Sequence, residues 1–214
     1  MIEIQINQQQ FQDVQERLAY IKNGANLALS RALNKTAAKA KTEASKAIRS
    51  QVRLSASYVK EKINGPADGF EFKATSNKLT AKISTPKRGV RLDNFLTSLA
   101  PYRAGRPTDP IKVKVKPTDS PVKISSAFWV PAKNSGGYLI VVRNEVLRQQ
   151  GMKIKLAPAG YTVLSGPSIS QVFNTVRDDI SISLSEYLAT VMERETAWLI
   201  TKNPPPAGDG SDGN

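Results

Sequence analysis

The sequence predicts an α+β protein, with an antiparallel or mixed sheet packed by long α-helices, extended loops and a flexible carboxy-terminal tail. Three observations predict it. Apolar side chains recur at three- and four-residue spacing over residues 11–63 and again over 172–200, as on one face of a helix. Residues 2–6 and several short runs between 70 and 143 instead alternate apolar and polar side chains, the period of a strand with one buried face. The last residues, "NPPPAGDGSDGN", are too rich in Pro and Gly to hold a core. With 214 residues, 40% hydrophobic and 23% charged, the chain is long enough and ordinary enough to bury one good core. It reads as one domain over 1–203, carrying a long basic loop over 86–110, and a disordered tail over 204–214.

Taken in order, Ile2, Ile4 and Ile6 alternate with Glu3 and Gln5 and predict an opening strand. Phe11, Val14, Leu18 and Ile21 then follow a helical spacing that Asn23-Gly24 stops. A second helix is expected from about Ala25 to Ser50. Its inward face is Leu29, Ala32 or Leu33, Thr36, Ala40, Ala44 and Ile48, narrow because alanine dominates it. "SASYVKEKI" predicts a third, short helix capped by Ser55 or Ser57, with Val59 and Ile63 inward. Beyond Asn64-Gly65-Pro66, "FEFKATSNKLTAKIS" predicts a hairpin turning at Ser76-Asn77. Pro86 to Pro110 reads as a long exposed loop with a turn of helix at "LDNFLTSL". In "IKVKVK" Ile111, Val113 and Val115 lie on one face and three lysines on the other. "VKISSAFWVPA" and "GGYLIVVR" form the next pair of strands, and a helix from Val172 to about Ile200 closes the fold.

Charge narrows the function more than composition does. The net charge of +13 implies attraction to polyanions: DNA, RNA, an anionic membrane surface or an acidic protein. Residues 22–62 hold ten basic and two acidic side chains and residues 70–116 hold eleven and three, whereas residues 167–214 hold three and seven. A positive middle and a negative end allow copies of one chain to dock head to tail. The chain has neither cysteine nor histidine, so disulfides, thiolate or imidazole metal sites and the imidazole base of most Ser and Cys hydrolases are excluded. "MIEIQINQQQ" is not a secretory leader, and no apolar run approaches the roughly 20 residues needed to cross a bilayer. The expectation is a soluble protein used, or assembled, in the cytoplasm, with no membrane partner.

Enzyme signatures are poor. On a helix the carboxylates of Asp178 and Asp179 diverge by about 100°, as do those of Glu193 and Glu195 by a different angle, so neither pair readily shares a metal. "NSGGY" is explained by a hairpin turn and is too short for a phosphate loop. The chain is therefore not expected to be an enzyme and is expected to need no cofactor, metal or small-molecule substrate.

Two groups of basic residues are candidate contacts for DNA or an acidic partner. Arg31, Lys35, Lys39, Lys46, Arg49 and Arg53 return to one side of the second helix. That stripe either neutralises phosphates along a duplex, displacing counterions, or is a solvated outer face opposite the alanines, and the solvated face is the favoured reading. The loop contributes Lys87, Arg88, Arg91, Arg103 and Arg106 around Tyr102, a mixture that suits nucleic acid, an acidic protein or plain solvent. Nothing in either group is placed to read bases. Trp129 beside Phe128 sits in a strand and reads as core or subunit seam.

"ISSAFWVPAKNSGGYLIVVR" followed by "YTVLSGPSISQVFNTVRDDISISLSEYLATVMERETAWLI" resembles the carboxy-terminal half of the phage minor tail protein Z family. The shared pattern is an aromatic-containing strand, a small glycine-containing turn and a strand ending in arginine. A Gly-Pro-Ser motif then opens a long helix, and Gly166, Pro167, Ser168, Gln171 and Phe173 match it. "ALSRALNKTA" is similar to the family's beginning, so the resemblance covers about residues 25–200. In the motif Ser168 is positioned to cap the helix, Pro167 to restrict its approach and Gly166 to permit an unusual turn. The loop 86–110 and the tail depart from the family pattern. The resemblance implies a structural virion protein that completes the head-proximal end of a phage tail as a ring around the DNA path and supports head-tail joining. Its implied partners are further copies of itself, six being the expected number, a tail terminator and other neck or tail-tube proteins, and the DNA in the channel. Such a protein is assembled in the host cytoplasm and resides in the virion. A free DNA-binding protein of nucleoid or regulatory type is the alternative.

Overall fold

Helices and short strands fall largely in separate runs along the chain in the computed structural model, which describes residues 2–63, 73–97, 111–132, 138–153 and 155–205. In order they are β1 (Ile2–Gln5), α1 (Gln8–Arg17), α2 (Gly24–Gln51), α3 (Ala56–Lys62), β2 (Thr80–Ile83) and β3 (Gly89–Arg91). A 3-10 turn (Leu92–Phe95) follows, then β4 (Ile111–Val113), β5 (Val122–Ile124), β6 (Ala127–Pro131) and β7 (Tyr138–Arg143). The chain ends with α4 (Asn144–Gln149), β8 (Tyr161–Val163), β9 (Ser165–Ser168) and the long α5 (Ile169–Lys202). The fold is α+β, as expected. Among the described residues the strands form several small sheets, β1-β2, β3-β9, β4-β5 and β6-β7-β8, and every pairing is antiparallel.

Within the span read from sequence as one domain, the chain divides into two compact units. The first comprises Met1–Ala44, Ile63–Thr85 and Val176–Asn214, and the second Ser45–Lys62 and Pro86–Thr175. The division falls inside both long helices.

In the first unit, α1 begins at a capping box. The Asn7 side chain accepts from the Gln10 N–H at 2.7 Å and Gln10 Oε1 accepts from the Asn7 N–H at 3.3 Å. Asn23, at φ 57°, supplies the left-handed residue that ends the turn after α1, a conformation asparagine tolerates. At Gly24 a side chain would stand 2.9 Å from Ile21 Cβ, so only glycine fits the start of α2. The expected inward face of α2 is buried completely at Leu29, Ala32, Leu33, Thr36, Ala40 and Ala44. Ala28 and Ala37 widen it. Opposite faces of β1 and α5 supply Ile2, Ile4, Leu184 and Leu188 to the same unit's core. The turn expected at Ser76-Asn77 is present, closed by the antiparallel Thr75–Lys78 bridge. The strand after that turn, β2, pairs with β1, Ile2 opposite Ile83 and Ile4 opposite Ala81. Residues 70–72, the first arm of the expected hairpin, lie outside the described residues.

The second unit holds the β3-β9, β4-β5 and β6-β7-β8 sheets. Residues 86–97, expected as exposed loop with a turn of helix, hold that turn as the 3-10 segment, but they also contain β3 and are not exposed throughout, because Val90, Leu92 and Phe95 are apolar enough to be buried, Phe95 wholly. The rest of that loop, 98–110, lies outside the described residues. "VKISSAFWVPA" is two strands: β5 returns along β4, and β6 pairs with β7. Helix α4 and strand β8 add elements that the sequence reading did not contain. They are locked by buried Asn144, which donates to the Ala157 carbonyl at 2.7 Å and accepts from Thr162 Oγ1 at 2.7 Å. Thr162 in turn accepts from the Ala157 N–H at 3.0 Å, so these buried polar atoms are paired. Trp129 is buried in the core, as expected.

Candidate functional site

The six basic residues read as one stripe divide into two groups with different surroundings. Arg31 stacks on Trp198, its guanidinium carbon 4.8 Å from the ring centroid. Lys35 forms an ion pair with Glu195, whose carboxylate is buried while the lysine side chain remains 56% exposed. Lys39 Nζ lies 3.9 Å from the Tyr187 ring and 3.6 Å from Glu43. As residue numbers rise along α2 those of the partners fall along α5, so the two helices run antiparallel here within the first unit. This half of the stripe is therefore only partly a solvated outer face: Lys35 stays exposed, but α5 sets a ring against Arg31 and Lys39 and a carboxylate against Lys35. Glu193 and Glu195 point to different cations, Arg17 at 2.9 Å and Lys35.

The remaining three belong to the second unit. Lys46 and Arg49 are exposed, with no partner among the described residues. Arg53 lies beyond the end of α2. Its N–H donates to the Val115 carbonyl at 2.7 Å, and its guanidinium donates to the Leu96 carbonyl at 2.6 Å, so it ties α2 to the strand region around β4. Of the loop arginines, Arg88 is exposed and Arg91 pairs with Asp93 at 3.0 Å. Arg103 and Arg106 lie outside the described residues.

Charge in this unit is large and weakly opposed. The second unit's sequence carries nineteen basic and five acidic residues, net +14, and the first unit's twelve and thirteen, net −1. Among the described residues of the second unit, ion pairs join only near neighbours, Lys62 with Glu61 and Arg91 with Asp93. Lys112 and Lys123 are directly opposed across β4-β5, both exposed, and Lys114 follows on the same face. The lysines of β4 were legible in sequence, but Lys123 was not grouped with them because the β4-β5 pairing was not foreseen. The alternating runs on either side of "KPTDSP" were the available signal.

The Gly-Pro-Ser motif has a structural role. Ser165, Gly166, Pro167 and Ser168 form β9, paired with β3. Ser168 Oγ accepts from the Gln171 N–H at 3.0 Å, and Gln171 Oε1 accepts from the Ser168 N–H at 2.8 Å, a reciprocal box that starts α5. Phe173, two residues on, is wholly buried. Gly166 does not make an unusual turn: its backbone is extended in β9, outside the left-handed region. Glycine is required there because a Cβ would sit 2.8 Å from the buried Phe95 ring.

Among the described residues no group of three or more Asp or Glu side chains is arranged to hold a metal, and no helix is long and apolar enough to cross a membrane. No family model, curated protein or solved structure matches the chain.

Proposed function

We propose that the chain is an architectural protein of a tailed-phage particle. It completes the head-proximal end of the tail as a ring of copies around the DNA path and supports head-tail joining, with the basic unit turned toward the DNA. The observation that carries the reading is the concentration of the whole net charge in one unit, +14 against −1, with little local neutralisation. A surface so charged is stable beside a polyanion, where counterion release rewards each lysine. The resemblance supplies the setting: a strand ending in Arg143, then Gly166, Pro167 and Ser168 opening the long helix, as in the minor tail protein Z pattern. The neutral first unit, rich in ion pairs, suits packing against protein rather than DNA.

Imaging of the purified particles of the phage that encodes the chain tests this. The expected result is density for a closed ring of this chain where tail meets head, and unjoined heads and tails when its gene is removed. Joined, infectious particles lacking the chain overturn the proposal. The same unneutralised charge also favours the second reading, a free DNA-binding protein, which predicts a chain absent from particles and recovered on host DNA.

A further inference from the structure

We infer that the β4-β5 hairpin is a sequence-independent contact for the phosphate backbone of duplex DNA, made by Lys112, Lys114 and Lys123 with Arg53 beside them. The inference rests on the polyanion-facing part of the proposed function and names the surface that does the work.

The geometry is unfavourable unless an anion is present. Thr97 N–H donates to the Lys112 carbonyl at 3.2 Å, and Lys114 N–H donates to the Phe95 carbonyl at 2.8 Å. The backbone polar groups of both lysines therefore turn away from β5, which makes Lys112 and Lys123 a non-hydrogen-bonded pair. In such a pair the side chains stand closest, with Cβ atoms about 5 Å apart, and like charges there oppose strand pairing. Lys114 lies two residues along the same face, and neither it nor the pair has an acidic partner among the described residues. On β4 the reverse side is fixed, since Ile111 and Val113 are buried, whereas Val122 of β5 is 62% exposed. Arg53 anchors the same strand region through its bonds to Val115 and Leu96. The result is a ribbon anchored through β4 and presenting uncompensated ammonium groups.

Two features favour duplex DNA over other anions. Lysine is a point charge suited to phosphate and is depleted from protein interfaces, where arginine is preferred. Residues 111–124 contain no aromatic side chain, so the ribbon offers nothing on which unstacked bases could rest. Residues 111–124 also lack Asn, Gln and Arg, so the ribbon itself offers only lysine point charges, which suit phosphate.

The test is fluorescence anisotropy of a labelled random-sequence duplex with the purified full chain over a range of salt. The parent is expected to bind with a linear log-log salt dependence. The K112Q/K114Q/K123Q variant is expected to lose about 2 to 3 from the slope, near 0.9 per phosphate contact, whereas K35Q/K39Q loses none. Lys123→Gln alone, on an exposed strand, should lose about 0.9 and serves if the triple variant does not fold. A triple variant, folded by circular dichroism, that keeps the parent slope overturns the inference. A parent chain that ignores duplex DNA but binds polyglutamate through these lysines also overturns it, in favour of an acidic protein. Because isolated chain is used, either result is independent of whether particles contain a ring.

Discussion

The two units manage polar groups by different means. In the first, residues far apart in sequence are joined by ions, Arg17 to Glu193, Lys35 to Glu195 and Lys82 to Glu3, beside one neutral pair, Asn34 with the Ala74 backbone. In the second, distant residues are joined by neutral groups or by one arginine on carbonyls: Asn144 with Thr162 and Ala157, and Arg53 on Leu96. Arg17, Lys35 and Lys82 therefore have partners inside the first unit, while Lys112 and Lys123 oppose the pairing of their strands and are left for an external anion. The difference teaches that +13 spread over a chain is not one property. It divides into charge used internally and charge left unused, and only the second kind argues for a polyanion.

The sharpest break in the comparison comes from replacing a lysine in each unit. Lys35→Met leaves the Glu195 carboxylate buried without its cation, and since Lys35 itself is half exposed the expected loss is about 2 kcal/mol, below the full cost of breaking a buried pair. Urea denaturation of parent and variant measures it. Adding Glu195→Gln should recover most of the loss, and an additive double variant would show that the pair is not coupled.

Next in size is Ser168→Ala, which removes the reciprocal box starting α5 and is expected to cost about 1 kcal/mol in the same assay. Order in the second unit depends on such neutral bonds, so the loss should be unchanged between low and high salt. A loss that shrinks with salt would place an ionic contribution at that cap.

Lys112→Thr should act in the opposite direction to Lys35→Met. Relief of the cross-strand repulsion with Lys123 is expected to stabilise by about 0.2 to 1 kcal/mol. Raising salt should do the same without mutation, because screening shortens to about 3 Å at 1 M. Hydrogen exchange read by mass spectrometry is expected to show β4-β5 better protected in high salt and α1 less protected. Parallel changes in both segments would erase the distinction between the units.

Much of this division was legible locally and little of it globally. The periodicity of residues 25–50 picks out the α2 residues that are buried, and Ser55 and Ser168 stand as caps where their neighbours predict. These depend on spacing within one element. The fate of Arg31, Lys35 and Lys39 depends on Tyr187, Glu195 and Trp198, roughly 150 residues away, and no periodicity along α2 carries that information. The same holds for β2, whose partner β1 lies at the start of the chain, and for Lys123, which meets Lys112 only once β4 and β5 are paired. Gly166 was assigned a turn because glycine permits one, yet the neighbour that demands glycine, Phe95, lies 71 residues earlier. Local faces are written in spacing; their partners are set by packing.

The smallest expected effect concerns Glu3, in the first unit. Its pKa is held below the ordinary carboxylate value, chiefly by the hydrogen bond from the Gln5 amide and next by that from Lys82. A carboxyl whose folded pKa is depressed binds protons more readily when unfolded. Its contribution to stability is therefore present above the unfolded pKa and is lost as pH falls through the folded one. Carboxyl carbon NMR titration should give Glu3 a midpoint below the ordinary value of 4.5. Gln5→Ala should move that midpoint upward more than Lys82→Met does, since the amide makes the larger contribution. The reverse order would make Glu3–Lys82 an ion pair of the same standing as Lys35–Glu195, and would extend internal charge use in the first unit to its sheet.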